Sequence, residues 1–293
     1  MQPLLDLGHK ISFIVTSKAA PEYRITHEDF QEFANKKEIP FLYHPKVYAE
    51  SIIQLTKGKK TDICISVNYS GVIEQEVIEL FPLGVLNAHG GDLPRYRGNA
   101  CQAWAIINGE DRIGLCIHQM IGGELDSGPI IEREYMPIDI NTRIGEVYEW
   151  LDGRIPVLMC SAVKKLSKIP NYLLEIQSID SKNALRCYPR MPQDGKIDWS
   201  KNAEAVLRLV NASSEPFAGA FAEYENVKII IWRAKLEVDS EVFVAVNGQV
   251  LKIGQDYIVV SCKNSKLRIT EVGYKGVRGN PSKIIRSIRK RLL

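Results

Sequence analysis

Short apolar runs alternate with helix-period stretches along the first two-thirds of the chain. "ISFIVT" (Ile11–Thr16) predicts a strand, and "THEDFQEFANKKE" (Thr26–Glu38) predicts a helix, with Thr26 as N-cap and Asp29 in the capping-box position. "FLYH", "DICISV" and "GVLNA" predict further strands, separated by helices near Tyr48–Lys57 and Gln75–Leu80. A helix over Ala100–Asn108, strands "GLCIHQM" and "PIIEREY", and a long helical pattern from Arg143 to about Lys168 complete the series. Strands that alternate with helices pack as a largely parallel sheet covered on both faces.

The pattern changes after Pro170. "YPRMPQDGKIDWSKN" is rich in turn formers and reads as a linker or domain entry. Beyond a helix at Ala203–Asn211 come short Val-, Ile- and aromatic-rich runs, "GAFAEY", "VKIIIW", "GQVLKI", "YIVVSC" and "LRITEV", punctuated by glycines. These predict a small antiparallel, OB-like β-barrel. The expected organisation is an α/β, doubly wound, Rossmann-like domain over residues 1–180, a barrel domain over 181–275 and a basic amphipathic tail over 276–293. The opening "MQPLLDLGHK" resembles the end of an amphipathic helix closed by Gly8. A doubly wound domain normally begins with a strand and a Gly-containing turn, so this start reads either as a short N-terminal helix or as a truncated one.

Composition narrows the class. With 45% apolar and 25% charged residues the chain is an ordinary globular protein. No apolar run approaches the roughly 20 residues of a membrane span, and no signal-peptide pattern opens the chain. The six cysteines are scattered, with no C-x-x-C pair, so neither a disulfide framework nor a zinc site is expected, and a cytoplasmic location is. Net charge is +3 but uneven: seven basic residues and no acid lie from Gly273 to Leu293, leaving 31 basic against 35 acidic residues elsewhere. The basicity belongs to the tail. Ile284, Ile285, Ile288 and Leu292 give that tail an apolar stripe, which reads as a docked surface helix, with RNA or membrane contact as the alternatives.

Candidate chemistry concentrates in "VLNAHGGDLPRYRGN" (Val85–Asn99). Asn87 and His89, two apart on a strand, share a face. At the C-terminal end of a strand that face meets the ligand crevice of an open α/β sheet. A lone histidine is more often structural, but an amide beside an imidazole also makes a donor pair for a developing oxyanion. "GGELDSGPI" (Gly122–Ile130) is either an ordinary polar turn or the segment that brings Asp126 beside His89, where a carboxylate would favour the protonated imidazole. Arg95 and Arg97 are either solvated or receive an anionic ligand. No phosphate-cradling glycine motif and no G-x-S-x-G elbow occurs, His118 reads as structural, and no histidine has metal-ligand spacing.

"NAHGGDLPRYRGN" followed by "ELDSG" closely resembles the 10-formyltetrahydrofolate-dependent formyltransferases, whose signature is Asn-x-His, a Leu-Pro-x-Tyr/Trp-Arg-Gly loop and a later Leu-Asp-Ser/Thr-Gly. "MPQDGKIDWSKNAEAVLRLV" and "PFAGAF" resemble the entry to the C-terminal barrel of the tRNA and aminoarabinose-type members, so the likeness covers nearly the whole chain. It implies formyl transfer from 10-formyltetrahydrofolate to an amine, without a metal. It assigns His89 as general acid and oxyanion partner, Asn87 as transition-state stabiliser, and Asp126 as the group that keeps His89 protonated and relays the amine proton. Folate contacts fall on Gly71, Val72 and Ile73, on Gly91, Asp92, Leu93 and Pro94, and on Gly122, Gly123, Glu124 and Leu125; Asn99, Arg95 and Arg97 face the acceptor. The chain departs from the pattern in having Gly91-Asp92 where Ser-Leu is usual.

The acceptor is read from two segments. "TSKAAPEYRITHEDF" lacks the basic insertion of the tRNA enzymes, and "NACQAWAIINGE" resembles the sugar-type pattern. A nucleotide-linked amino sugar, as used in lipopolysaccharide or other glycan synthesis, is therefore expected. Methionyl-tRNA is the alternative acceptor, a truncated and inactive binding module is a second alternative, and a homodimer is left open.

Overall fold

The computed structural model describes every residue except 21, 22, 24, 70 and 179, so part of the early segment used above to choose the acceptor lies outside the described residues. The chain forms two compact units. One combines Met1–Gly98, Gly114–Tyr135 and Trp150–Cys187; the other combines Asn99–Ile113, Met136–Glu149 and Tyr188–Leu293.

Along the chain, α1 (Gln2–Asp6) leads to β1 (Ile14–Thr16), α2 (His27–Lys36), β2 (Phe41–Tyr43), α3 (Ala49–Thr56), β3 (Cys64–Val67), α4 (Gln75–Ile78), β4 (Val85–His89) and the short β5 (Tyr96–Gly98). The expected capping box opens α2: the Thr26 amide donates to Asp29 Oδ2 at 2.7 Å, and Thr26 Oγ1 accepts from the Glu28 amide at 3.3 Å. After α5 (Cys101–Asn108), β6 (Arg112–Gln119) and β7 (Ile130–Pro137), the helix α6 (Ile144–Lys168) runs through Pro156 and is followed by β8 (Leu185–Cys187).

Two parallel pairings, β1 with β2 and β3 with β4, build the Rossmann-like part of the first unit, as alternating strands and helices dictate. The four-stranded sheet has the order β3-β4-β6-β7, and β6 enters it antiparallel to β4. Val85, Leu86, Ala88, Leu115, Cys116 and Ile117 are all buried, as strands covered on both faces should be. A parallel pair joins β5, in a segment expected to be loop, to β8, which had no expected element.

In the second unit α7 (Ala203–Ala212) packs with β9 (Ala220–Tyr224), β10 (Val227–Leu236), β11 (Val250–Ile253), β12 (Ile258–Cys262), β13 (Ser265–Tyr274) and β14 (Val277–Gly279). These strands form one antiparallel sheet in the order β11-β12-β13-β10-β9, with β14 added to β13. The single antiparallel sheet is that of an OB-like domain, and among the described strands no pairing of β11 with β9 is seen. The "linker" Tyr188–Asn202 contributes Ile197 and Trp199 to this core.

The tail departs from the helix its stripe suggested. After a 3-10 turn at Pro281–Lys283, Ile285 and Leu292 are fully buried, while Ile288 remains 55% exposed. The physical reason is competition for backbone groups. The Val250 amide takes the Lys290 carbonyl at 3.1 Å, the Leu292 amide donates to the Gly248 carbonyl at 2.9 Å, and Gln249 Nε2 donates to the carbonyls of Ile288 and Lys290. Carbonyls spent on a neighbouring strand are lost to a helix.

Candidate active site

The site starts from strand register. Asn87 and His89 share one face of β4, and the antiparallel pairing sets His118 of β6 directly opposite Asn87. Asn87 Nδ2 lies 3.3 Å from His118 Nε2, and the two imidazole rings meet edge to face with centroids 6.1 Å apart. The loop after β6 folds over this face and brings Asp126 between the histidines: Oδ2 is 3.5 Å from His89 Nδ1, and Oδ1 is 3.4 Å from His118 Nε2. The Gly98 amide donates to Asp126 Oδ2 at 2.9 Å. Asp126 has φ +48°, a left-handed conformation that a non-glycine residue adopts at a cost and that clusters at functional positions.

Hydrogen-bond chemistry places one proton on each ring. A carbonyl only accepts, so His89 donates Nε2–H to the Tyr96 carbonyl at 2.7 Å, and His118 donates Nδ1–H to the Gln119 carbonyl at 2.8 Å. The basic nitrogen of a neutral His89 is therefore Nδ1, facing Asp126. Burial pushes the His89 pKa down; Asp126 and the Tyr96 carbonyl push it up, while His118 and Arg97 push it further down. The net direction is below the ordinary imidazole value. Asp126 and the Tyr96 carbonyl act in the expected upward direction, but desolvation outweighs them. Burial would raise the Asp126 pKa, but the His118 hydrogen bond, the two imidazoles and the Gly98 amide bring it down to about 2.

The remaining candidate residues take the following places. Gly91 has space for no side chain: a Cβ there would sit 2.4 Å from the Tyr96 carbonyl oxygen and 2.5 Å from His89 Nε2. Asp92 turns to Arg133 of β7, whose Nη1 donates to Asp92 Oδ1 and to the Leu93 carbonyl, both at 2.7 Å, while Nη2 donates to Glu175 at 2.8 Å. The charge that replaces the family's usual residue is thereby neutralised. Gly122 lies against Gln75, whose Oε1 accepts the Gly122 amide at 3.0 Å, so this loop adjoins the segment carrying Gly71, Val72 and Ile73. Val72 and Leu125 are exposed, Ile73 and Leu93 buried. Arg97 donates to Gln177 Oε1 at 2.8 Å and to the Ser178 carbonyl at 3.4 Å. Arg95 and Asn99 are exposed, and Asn99 belongs to the second unit.

Pattern reasoning missed three contributors. His118 gave only a buried-strand signal, and Arg133 and Gln177 act across separations of 41 to 51 residues, on the loops that hold Asp92 and Asp126. Among the described residues no group of three or more His, Cys, Asp or Glu side chains suits a metal ion.

Residues 5–162 match the formyl transferase family and residues 190–283 its C-terminal domain. The chain is 28% identical to the bifunctional polymyxin resistance protein ArnA of Wigglesworthia glossinidia brevipalpis over 92% of its own length, spanning 40% of that protein. It is 29% identical to methionyl-tRNA formyltransferase of Acetivibrio thermocellus, covering 95% of this chain and 88% of that one. In fold it is similar to WlaRD, a sugar 3N-formyl transferase, with a TM-score of 0.63, 18% identity and coverage of 88% of this chain and 86% of that one. The chain belongs to the formyl transferase family, whose members transfer a formyl group from 10-formyltetrahydrofolate.

Proposed function

We propose that this protein formylates the amine of a nucleotide-linked amino sugar, with Asn87, His89 and Asp126 as the reacting constellation. The observation that carries formyl transfer is Asp126 held between two imidazoles beside an amide donor on one strand face. The acceptor amine attacks the formyl carbon, and the carbonyl oxygen gains charge. Asn87 Nδ2–H and His89 donate to that oxygen, the latter once its ring leaves the Tyr96 carbonyl. Asp126, ionised throughout the neutral range, takes the proton the amine must lose, with His89 Nδ1 beside it. The bond from N10 to the formyl carbon then breaks, N10 takes up the proton that Asp126 received from the amine, and the products are the formamide and tetrahydrofolate.

The donor loops are Gly71–Ile73, Gly91–Pro94 and Gly122–Leu125. Exposed Val72 and Leu125 on these loops suit the apolar face of a flat ring. Asn99, Arg95 and Arg97 are assigned to the acceptor side. The sugar reading is supported by the "NACQAWAIINGE" pattern and by a structural relative described as an N-formyltransferase from Helicobacter canadensis in complex with folinic acid and dTDP-3-aminofucose. A methionyl-tRNA acceptor is favoured by a different observation, the 29% identity to a methionyl-tRNA formyltransferase across 88% of its length.

Mass spectrometry decides between them. The protein is incubated with 10-formyltetrahydrofolate and, in parallel, dTDP- and UDP-linked 3-amino and 4-amino sugars and Met-tRNA. A formyl mass gain on a sugar is the expected result, and a gain on Met-tRNA alone overturns the sugar assignment.

A further inference from the structure

We infer that Gln177 is a positioning residue that sets the place of the Asp126 carboxylate; this rests on the catalytic reading of Asp126 given above. Gln177 is 4% exposed, and its whole amide is used. Nε2 donates to the Asp126 carbonyl at 2.8 Å and to the Gly128 carbonyl at 2.7 Å, and Oε1 accepts from Arg97 Nη2 at 2.8 Å. One side chain thus clamps both ends of the Asp126-Ser127-Gly128 turn.

The turn needs such a clamp. Asp126 sits at φ +48°, a conformation that persists where the surroundings over-determine it. The carboxylate has only two side-chain torsions, so its position follows its backbone. A shift of the Asp126 Cα moves the oxygens that lie 3.5 and 3.4 Å from the two imidazoles. Gln177 touches none of the three reacting side chains; it acts on where one of them begins.

The segment that delivers Gln177 is itself anchored. The Leu174 amide donates to the Ile130 carbonyl and the Ile130 amide to the Glu175 carbonyl, both at 2.8 Å. Residues 175 and 177 of this extended stretch point to one side, and Ile176, 72% exposed, points to the other. Glu175 grips Arg133, which holds Asp92 and the Leu93 carbonyl, while Gln177 grips the turn of Asp126.

The test is a cycle of four full-length proteins: wild type, Q177A, D126N and the double variant. Turnover is measured with 10-formyltetrahydrofolate and the acceptor the wild type uses, and thermal unfolding checks that each protein is folded. Gln177→Ala is expected to lower kcat roughly ten- to a hundred-fold, since small misplacements of a reacting group have effects of this order. The KM for the donor should stay within about twofold. In the Asp126→Asn background the same change should cost less than about twofold in kcat, because it acts through the missing carboxylate. Equal losses in both backgrounds, or a folded Q177A with unchanged kcat, overturn the assignment. A D126N protein with wild-type turnover overturns the catalytic reading of Asp126 itself, and the role of Gln177 with it, so the two failures are told apart.

A second readout needs no acceptor. The titration of His89, on which Asp126, His118 and Arg97 act, is followed by NMR. Q177A should lower the His89 midpoint in the same direction as D126N, and an unmoved midpoint counts against the assignment. Where Q177A fails to fold, Gln177→Met replaces it. That variant keeps the bulk, adds no charge and loses both donors to the turn, and the same pattern is expected.

Discussion

Arg133 holds Asp92 and the residue after it with one nitrogen: Nη1 is 2.7 Å from Asp92 Oδ1 and 2.7 Å from the Leu93 carbonyl oxygen. The arginine side chain is 10% exposed and the aspartate 22%, so the pair is largely shielded from water. Removing one partner of a shielded pair leaves an uncompensated charge, and Arg133→Met is expected to destabilise the protein by about 2 to 4 kcal/mol. Asp92→Ser, with Glu175 still on the guanidinium, should cost less. Urea unfolding of both single variants and the double variant checks this: the two effects should be strongly non-additive, and simple additivity would show that the pair is not coupled.

His89→Asn should lower turnover by about 100- to 1,000-fold, the usual effect of removing one oxyanion donor. Asn87→Ala should fall in the same range. The measurement is steady-state formylation of the preferred acceptor, and a loss below about fivefold for either variant would remove that residue from the reacting set.

Asp126 and His89 give opposite pH signatures. The folded-state pKa of Asp126 is depressed to about 2, so its ionised form contributes stability above the unfolded-chain value and loses it as pH falls from about 4 towards 2. The comparison is wild type against Asp126→Asn, which suits the left-handed backbone equally well, by urea unfolding from pH 5 down to pH 2. The stability difference should shrink by about 2 kcal/mol at the acid end.

His89 is depressed too, but a base behaves in the other sense. The unfolded chain takes up a proton near pH 6.5 while the folded imidazole resists, so stability declines as pH drops below that value. His89→Asn should remove part of that decline, and an unchanged slope between pH 6.5 and 5 in urea unfolding would show that the imidazole is not held neutral.

Leu292 is fully buried in the core of the second unit. Leu292→Ala should destabilise by about 2 to 4 kcal/mol, the usual cost of truncating a buried leucine, whereas Ile288→Ala at a 55% exposed position should have little effect. Calorimetry on the two variants checks the difference.

Periodicity made much of this molecule readable. Two polar residues at i and i+2 at the end of an apolar run do share a face, and the alternation of strands and helices does produce parallel pairs. The signature residues located Asp126, but only the fold shows it between two imidazoles. His118 looked structural because a single strand carries no information about which neighbour stands opposite. Arg133 and Gln177 were invisible for a related reason: each acts on a residue far along the chain, and side-chain hydrogen bonds at that separation leave no periodic trace. The tail shows the converse failure. Its stripe at helical spacing is real, but the edge near β11 outcompetes a helix for the tail's carbonyls.

That docking changes what the basic tail is as a polyelectrolyte. Arg278 already neutralises Glu271 and Glu215, and Lys290 pairs with Glu225 at 2.6 Å. The remaining charges are fixed to a folded surface by Ile285 and Leu292 and do not sample space as a floating cationic arm would. A polyanion meeting this surface would release fewer counterions than seven basic residues suggest, and its affinity would fall less steeply with salt than the charge count implies.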